Sequence, residues 1–167
     1  MLKTFKKEYG FTLIEIIAIL VVLGILVATA VSRSTNFDAE VYTGADALKN
    51  HLRYAQTMAM NEGETSSVWG ISCDASQKKY WLFQGDDPTK NHIRLPDDEQ
   101  FIDNRTISLE RKKIRVEEGF TIFFDNYGIP YSAYPNEPLT TVPLHITVRG
   151  GSSSKDIKVH PRTGFIP

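Results

Sequence analysis

The chain has 167 residues, with 19 lysines and arginines against 20 aspartates and glutamates, and is formally −1. A balance so near zero argues against a domain that takes nucleic acid by its overall charge, and leaves only a local basic patch for that task. The single cysteine, Cys73, excludes an intramolecular disulfide, and its setting in SSVWGISC reads as a small apolar core side chain.

The first ten residues, MLKTFKKEYG, hold Lys3, Lys6 and Lys7 against Glu8, a surplus of 3 − 1 = +2, so the 157 residues after them carry −1 − 2 = −3. From Phe11 to Val31 the chain is apolar except at Thr12, Glu15 and Thr29. Those twenty-one residues make a helix about 31 Å long, the thickness of a bilayer's hydrocarbon core. Lysines beside such a run stay cytoplasmic, which sends everything after Val31 outward. Glu15 is out of place by hydropathy. A carboxylate near the bilayer centre costs about 2.5–3.5 kcal/mol, less toward the ends, and so marks a functional position. A secretory signal fits the basic start, with Ala28 and Ala30 at the spacing of a cleavage site. A plain membrane anchor fits as well.

The run Gly10-Phe11-Thr12-Leu13-Ile14-Glu15, with lysines before it and the apolar stretch after it, resembles the processing signature of type IV prepilins and type II secretion pseudopilins. The resemblance implies that a membrane prepilin peptidase cuts between Gly10 and Phe11 and methylates the new amine of Phe11. It implies a single-pass inner-membrane precursor, its leader (1–10) cytoplasmic and its head periplasmic. Inner-membrane lipid holds the precursor until it joins other major and minor pilins or pseudopilins in a filament. Glu15 of one subunit would then pair with the Phe11 amine of a neighbour, two charges each costly alone in an apolar core. Many pilins carry a disulfide near the carboxy terminus. The lone Cys73 departs from that pattern and favours a pseudopilin or minor subunit.

Ser32 to Asn36, SRSTN, is polar and poor in helix formers, a place for the helix to bend or loosen. Beyond it Phe37, Val41, Ala45, Leu48, Leu52, Ala55 and Ala59 recur every three or four residues, a helical stripe, and Gly63 suits a left-handed cap. One helix is therefore expected from about Phe11 to Asn61, its assembly half 11–36 and its amphipathic half 37–63, with Gly44 as a weak point. The head, 64–167, reads as short strands. Thr65 to Cys73 and Lys79 to Gln84 form a hairpin across DASQK, Gly85 to Asn91 turns, and His92 to Leu95 is a strand. Arg105 to Leu109, Lys113 to Val116 and Gly119 to Phe124 follow, then a turn at Asp125 to Gly128. Ile129 to Pro143 holds four prolines and reads as a loop or irregular edge. Leu144 to Arg149 and Lys155 to His160 pair across a flexible GGSSS tip, and Phe165 with Ile166 makes a last short strand. The sum is α+β: a long helix, its first half transmembrane, with an antiparallel sheet or sandwich of about eight strands on its second half.

The segments LRYAQTMAMNEG, FTIFFDNYGIP and IKVHPRTGFIP are similar to those of the H-type minor pseudopilin and its minor-pilin relatives, the GspH/FimT group. This resemblance implies a long helix with a β-sandwich-like head. It implies a minor subunit at or near the tip of a secretion pseudopilus that contacts other pseudopilins and a secreted substrate. The alternative it carries is a minor type IV pilin serving pilus assembly, adhesion, motility or DNA uptake.

No catalytic motif, glycine-rich phosphate loop, cofactor signature or zinc-ligand spacing is present, and His51, His92, His145 and His160 are scattered. The expectation is a protein that is not an enzyme and has no cofactor. Asp86, Asp87, Asp97, Asp98 and Glu99 read as a solvated acidic loop, with calcium as the second reading. Arg149, Lys155, Lys158, His160 and Arg162 are the candidate phosphate contacts should DNA be a partner. Gly85 to Gln100 and Ile129 to Pro143 are the expected partner surfaces of the head.

Overall fold

The computed structural model describes residues 12–62, 68–96 and 105–167, with residues 32–37 described by backbone only. Gly10, Phe11, Gly63, Asp97, Asp98 and Glu99 lie outside the described residues. The chain divides into two compact units between Asn36 and Phe37.

The described part of the first unit is helical. Helix α1 (Leu13–Asn61) opens at Thr12, whose carbonyl and Oγ1 accept from the Glu15 amide at 3.1 and 3.3 Å. Thr12 and Glu15 stand at capping-box spacing, so the polar residues at the head of the run also start the helix. Leu13–Val31 has a mean hydropathy of 2.9 and none of it is buried. Thr29 Oγ1 donates to the Leu26 carbonyl at 2.9 Å, so this hydroxyl needs no outside partner in an apolar setting. The expected bend or loosening at Ser32 to Asn36 is not a break: the backbone is helical throughout. Each polar residue there costs at most about 0.7 kcal/mol in propensity, too little to interrupt a helix that continues on both sides.

In the second unit the apolar stripe of α1 is the spine of the core. Val41, Ala45, Leu48, Leu52, Ala55 and Ala59 are all buried. They meet two antiparallel sheets. The larger holds β1 (Trp69–Cys73), β2 (Lys79–Gln84), β3 (His92–Ile93), β4 (Thr106–Ser108), β6 (Thr121–Phe124), β7 (Pro130–Ala133) and β8 (Glu137–Pro138). Its order is β3-β2-β1-β6-β7-β8, with β4 continuing the edge beside β2. The smaller holds β5 (Arg115–Val116), β9 (Leu144–Gly150) and β10 (Ser153–Val159), in the order β10-β9-β5. Strand alternation sorts the side chains. Ile71, Leu82, Ile122 and Phe124 from the large sheet, and Val116, Ile146, Val148, Ile157 and Val159 from the small one, join the helix stripe in one core. The opposite face of the large sheet carries a second cluster of Val68, Phe83 and Phe123.

Several expected elements shift. The first strand begins at Trp69, with residues 63–67 outside the described set. The strands expected at His92 to Leu95 and Arg105 to Leu109 shorten to β3 and β4. The strand expected from Lys113 starts at Arg115, because Glu110–Lys112 winds into a 3-10 turn and Lys113 caps it in the left-handed region at φ 56°. That expected from Gly119 starts at Thr121. The proline-rich stretch is an irregular edge made of β7 and β8, whose register shifts between Tyr131 and Ala133. The glycine-serine tip is shorter than expected, since Ser153 and Ser154 pair with Gly150 and Arg149. Phe165 and Ile166 form no strand. The Phe165 carbonyl accepts from the His160 amide at 2.9 Å in a tight return, and Ile166 inserts into the core. Gly44 is also a point of close contact, since a Cβ there would lie 2.1 Å from Ile114 Cδ1.

Cys73 is buried and desolvated, with Asp74 beside it, and its thiol is pushed up to about 12 from 9.0. The folded chain therefore keeps a proton that the unfolded chain loses between about pH 9 and 12, so stability falls as pH rises through that window. Iodoacetamide at pH 8 is expected to leave Cys73 unmodified in the native protein and to modify it in denaturant, read by mass spectrometry. Fast labelling of the native protein would contradict the burial.

Candidate assembly helix and head surfaces

Glu15 lies on an exposed helix face with Ala18, Ile19, Val22, Leu23 and Leu26, which line a shallow groove. Its carboxylate has no partner among the described residues, and its amide is taken up by Thr12. A carboxylate on an otherwise apolar face can be stabilised there only by an external cation or by water at the membrane boundary.

The three segments that carry the H-type resemblance meet at one junction in the head. Arg53 donates from Nε and Nη2 to the Ile166 carbonyl at 3.1 and 2.8 Å. Gln56 Nε2 donates to the carbonyls of Gly128 and Thr163, both at 2.9 Å. The helix thus holds the Asp125–Gly128 turn and the 160–166 return together. The turn is itself organised by Asp125, which accepts from the amides of Tyr127 and Ile129 and from the Tyr131 hydroxyl. Gly164, at φ 62°, allows the close approach: a Cβ there would sit 2.5 Å from both Gln56 Nε2 and the Gly128 carbonyl. Sequence reading saw the motifs but not that Arg53 and Gln56 join them. Gln56→Ala leaves two carbonyls without a donor and is expected to cost about 1–3 kcal/mol. Thermal unfolding and faster proteolysis within residues 160–167 check this. An unchanged melting temperature and cleavage pattern would remove the role.

The five candidate phosphate contacts are not gathered on one surface. Arg149 on the outer face of β9 pairs with Glu117 at 2.8 Å. Lys155 stands 5.2 Å above the Tyr42 ring on the helix side of β10. Lys158 is on the outer face, opposite His145. His160 packs against the Phe165 ring, and Arg162 donates to the Thr140 carbonyl. The outer face of the small sheet is mixed in sign, with His145 bonded to Asp156 at 2.6 Å.

Among the described residues no group of three His, Cys, Asp or Glu side chains is placed to hold a metal ion. The Asp87 carboxylate accepts from the Thr89 amide and hydroxyl and from Lys90. These bonds, Lys90 first, hold its carboxyl far below the usual range. Glu62 at the end of α1 accepts from the indole of Trp69 and from Gln84 Nε2, fastening the helix end to β1 and β2. Of the two expected partner surfaces, the described part of the first is the Asp87 turn and the strand after it, where Trp81 stacks on His92 and donates to the Pro88 carbonyl.

The motif and the fold have parallels in known proteins. Residues 5–31 match the prokaryotic N-terminal methylation motif. Two solved structures of the minor pseudopilin EpsH from the type II secretion system of Vibrio cholerae are similar to the chain. One is 12% identical over 77% of this chain and 94% of that one, with a TM-score of 0.49. The other is 10% identical over 78% and 93%, with a TM-score of 0.50. No curated protein sequence matches the chain. The chain thus carries an N-terminal methylation motif directly ahead of an apolar helix of membrane length. Over the matched part its fold is similar to that of the second EpsH structure.

Proposed function

We propose that the chain is a minor pseudopilin, a structural subunit of a type II secretion pseudopilus placed at or near its tip, with no reaction of its own. The observation that carries this is the methylation motif set directly against an exposed helix of membrane length that continues into the head. The helix serves twice. In the precursor its apolar half is a single-pass inner-membrane anchor with the head in the periplasm. After the peptidase cuts Gly10 from Phe11, the same surface packs against other subunits, and Glu15 pairs with a neighbour's Phe11 amine. The lone, buried Cys73 supports a pseudopilin over a pilin stabilised by a disulfide.

Mass spectrometry of the mature protein is expected to show an amino terminus at methylated Phe11. A start near Val31 would overturn the reading, as it would mean signal-peptide removal of the apolar run. Capture of secretion pseudopilins by the processed chain separates the pseudopilus from the alternative, a minor type IV pilin, which would capture pilus subunits instead.

A further inference from the structure

The head carries opposite charge at its two ends. At one end the 3-10 turn, β5 and the β9–β10 hairpin enclose an open groove of about 510 Å³. Lys78, Lys113, Arg115 and Arg149 line it against a single acid, Glu110, a formal surplus of 4 − 1 = +3. Two of these cations are already answered, Lys78 by Glu110 at 2.9 Å and Arg149 by Glu117 at 2.8 Å. Lys113 and Arg115 are exposed and have no acidic partner among the described residues. This end lies beside the start of the amphipathic half of α1, since Gly150 abuts Val41 and Ile114 abuts Gly44.

Both α1 and β2 run from that end to the other. From Val41 to Glu62 the helix rises about 32 Å. There Glu62 accepts from Trp69 and from Gln84, the last residue of β2, and the Gly85 amide donates to the Val68 carbonyl at 2.7 Å. The turn after Gln84 brings Asp86 and Asp87 to the same place, so Glu62, Asp86 and Asp87 stand against Lys90, −3 + 1 = −2. Asp86 is exposed, and Lys90 sits between it and Asp87 in charge. The turn is held rigid by Asp87 through Thr89 and Lys90, and by the Trp81 indole on the Pro88 carbonyl. A fixed acidic knob at one end of the head thus matches an open basic groove at the other, and association onto fixed groups loses little ordering entropy.

Two further observations set the kind of partner. At about 30 Å³ for a water, the groove is far larger than one small anion needs. The adjoining hollow over β9 is lined by Glu117, Glu118 and His145, so no basic track leads away as a nucleic acid strand requires. A carboxylate suits the guanidinium fork of Arg115 and the ammonium of Lys113. Contact between unlike ends of identical chains does not use itself up, and repeats along an open line.

We propose that this groove receives the acidic end of a second copy of the chain, so that heads stack end to end. The inference goes beyond the filament reading above and asks only that copies of the chain adjoin. The test uses the full chain in detergent micelles, read by native mass spectrometry as protein concentration rises. The wild type is expected to form dimers and longer lines that come apart in high salt, a result read without any variant. Arg115→Glu spoils the groove and Asp86→Lys spoils the acidic end, and each is expected to weaken association about tenfold or more. Mixed together, the two variants retain one sound groove and one sound acidic end, and should give mixed dimers and nothing longer. Lys158→Glu, with the same charge change as Arg115→Glu, is the control that associates as the wild type does. Equal melting temperatures show that all three fold. Equal association of every chain at every salt concentration, as the apolar helix alone would give, overturns the proposal. It leaves the anchor reading standing, since the mass of the amino terminus tests that separately. A wild type that stops at dimers, or a mixture no more associated than either variant alone, also overturns it. Retention of short duplex DNA through Arg115, without self-association, overturns it in favour of nucleic acid.

Discussion

Replacing Glu15 by alanine is expected to leave the protein inserted and processed and to keep it out of filaments. Insertion becomes easier, because the substitution removes the one charge in Leu13–Val31. Cleavage proceeds because Gly10, Phe11 and the lysines of the leader are untouched. On the proposed pairing, assembly is the step that loses the charge. A Phe11 amine packed among apolar helices without a carboxylate is a buried unpaired cation, and breaking such a pair costs about 3–5 kcal/mol, a hundredfold or more in association. Thr12 still caps the helix through its own oxygens, so the change does not act by unravelling the start of α1. Sheared filaments and membrane fractions probed for the subunit, with the amino-terminal mass as the processing control, check this. Wild-type amounts of Glu15→Ala in filaments would sink the pairing.

Gly70→Ala is expected to be the more damaging change to the head. Gly70 is the second residue of β1, an interior strand of the large sheet between β2 and β6. A Cβ there would stand 2.4 Å from the Ile122 carbonyl oxygen and 2.4 Å from Phe83 Cζ. The Phe83 ring cannot easily swing away, because it is fully buried and packed edge-on against Phe123 at 5.2 Å. One obstacle is backbone, so β1 and β6 must separate, and the cost belongs at about 3 kcal/mol, the upper end for overpacking. For a head of this size that lowers the melting temperature by roughly 12 °C. Gly24→Ala is the control: nothing lies within 4 Å of its Cβ position, and the head should melt as before. Equal melting of the two variants would show that the close approach at Gly70 is not limiting.

The long helix and the central hairpins were legible because each writes its own period into the chain. The stripe from Val41 to Ala59 repeats at helical spacing and is buried throughout. Ile146 and Val148 alternate against Ile157 and Val159, and the β9–β10 pairing follows. What was hidden depends on partners distant in sequence. Lys113 looks like a strand residue until the 3-10 turn before it needs a left-handed cap. Ile166 looks like a strand end until its carbonyl is seen receiving Arg53, 113 residues earlier. Ser153 joins β10 rather than the hairpin tip because its strand partner Gly150 and its side-chain partner Asp38 both hold it. The basic run Arg111-Lys112-Lys113-Ile114-Arg115 is plain in the chain, yet it becomes a groove only when β9 brings Arg149 opposite Arg115. The carboxy-terminal basic residues looked like a set by proximity along the chain, and the fold keeps only Arg149 and Lys158 on one face of the small sheet, with Lys155 on the helix side and His160 and Arg162 engaged in the carboxy-terminal return.

The fastenings along α1 also have a mechanical meaning. Asp38 holds Ser153, Arg53 holds Ile166, Gln56 holds Gly128 and Thr163, and Glu62 holds Trp69 and Gln84. These ties are spread over most of the helical length that the head covers, with the buried stripe between them. A pull along the helix axis, as when a subunit is drawn out of a bilayer, loads them together in shear rather than one after another as peeling would. Within the head the amphipathic half of α1 and the sheets then bear the load jointly, because each tie takes only a share of the force.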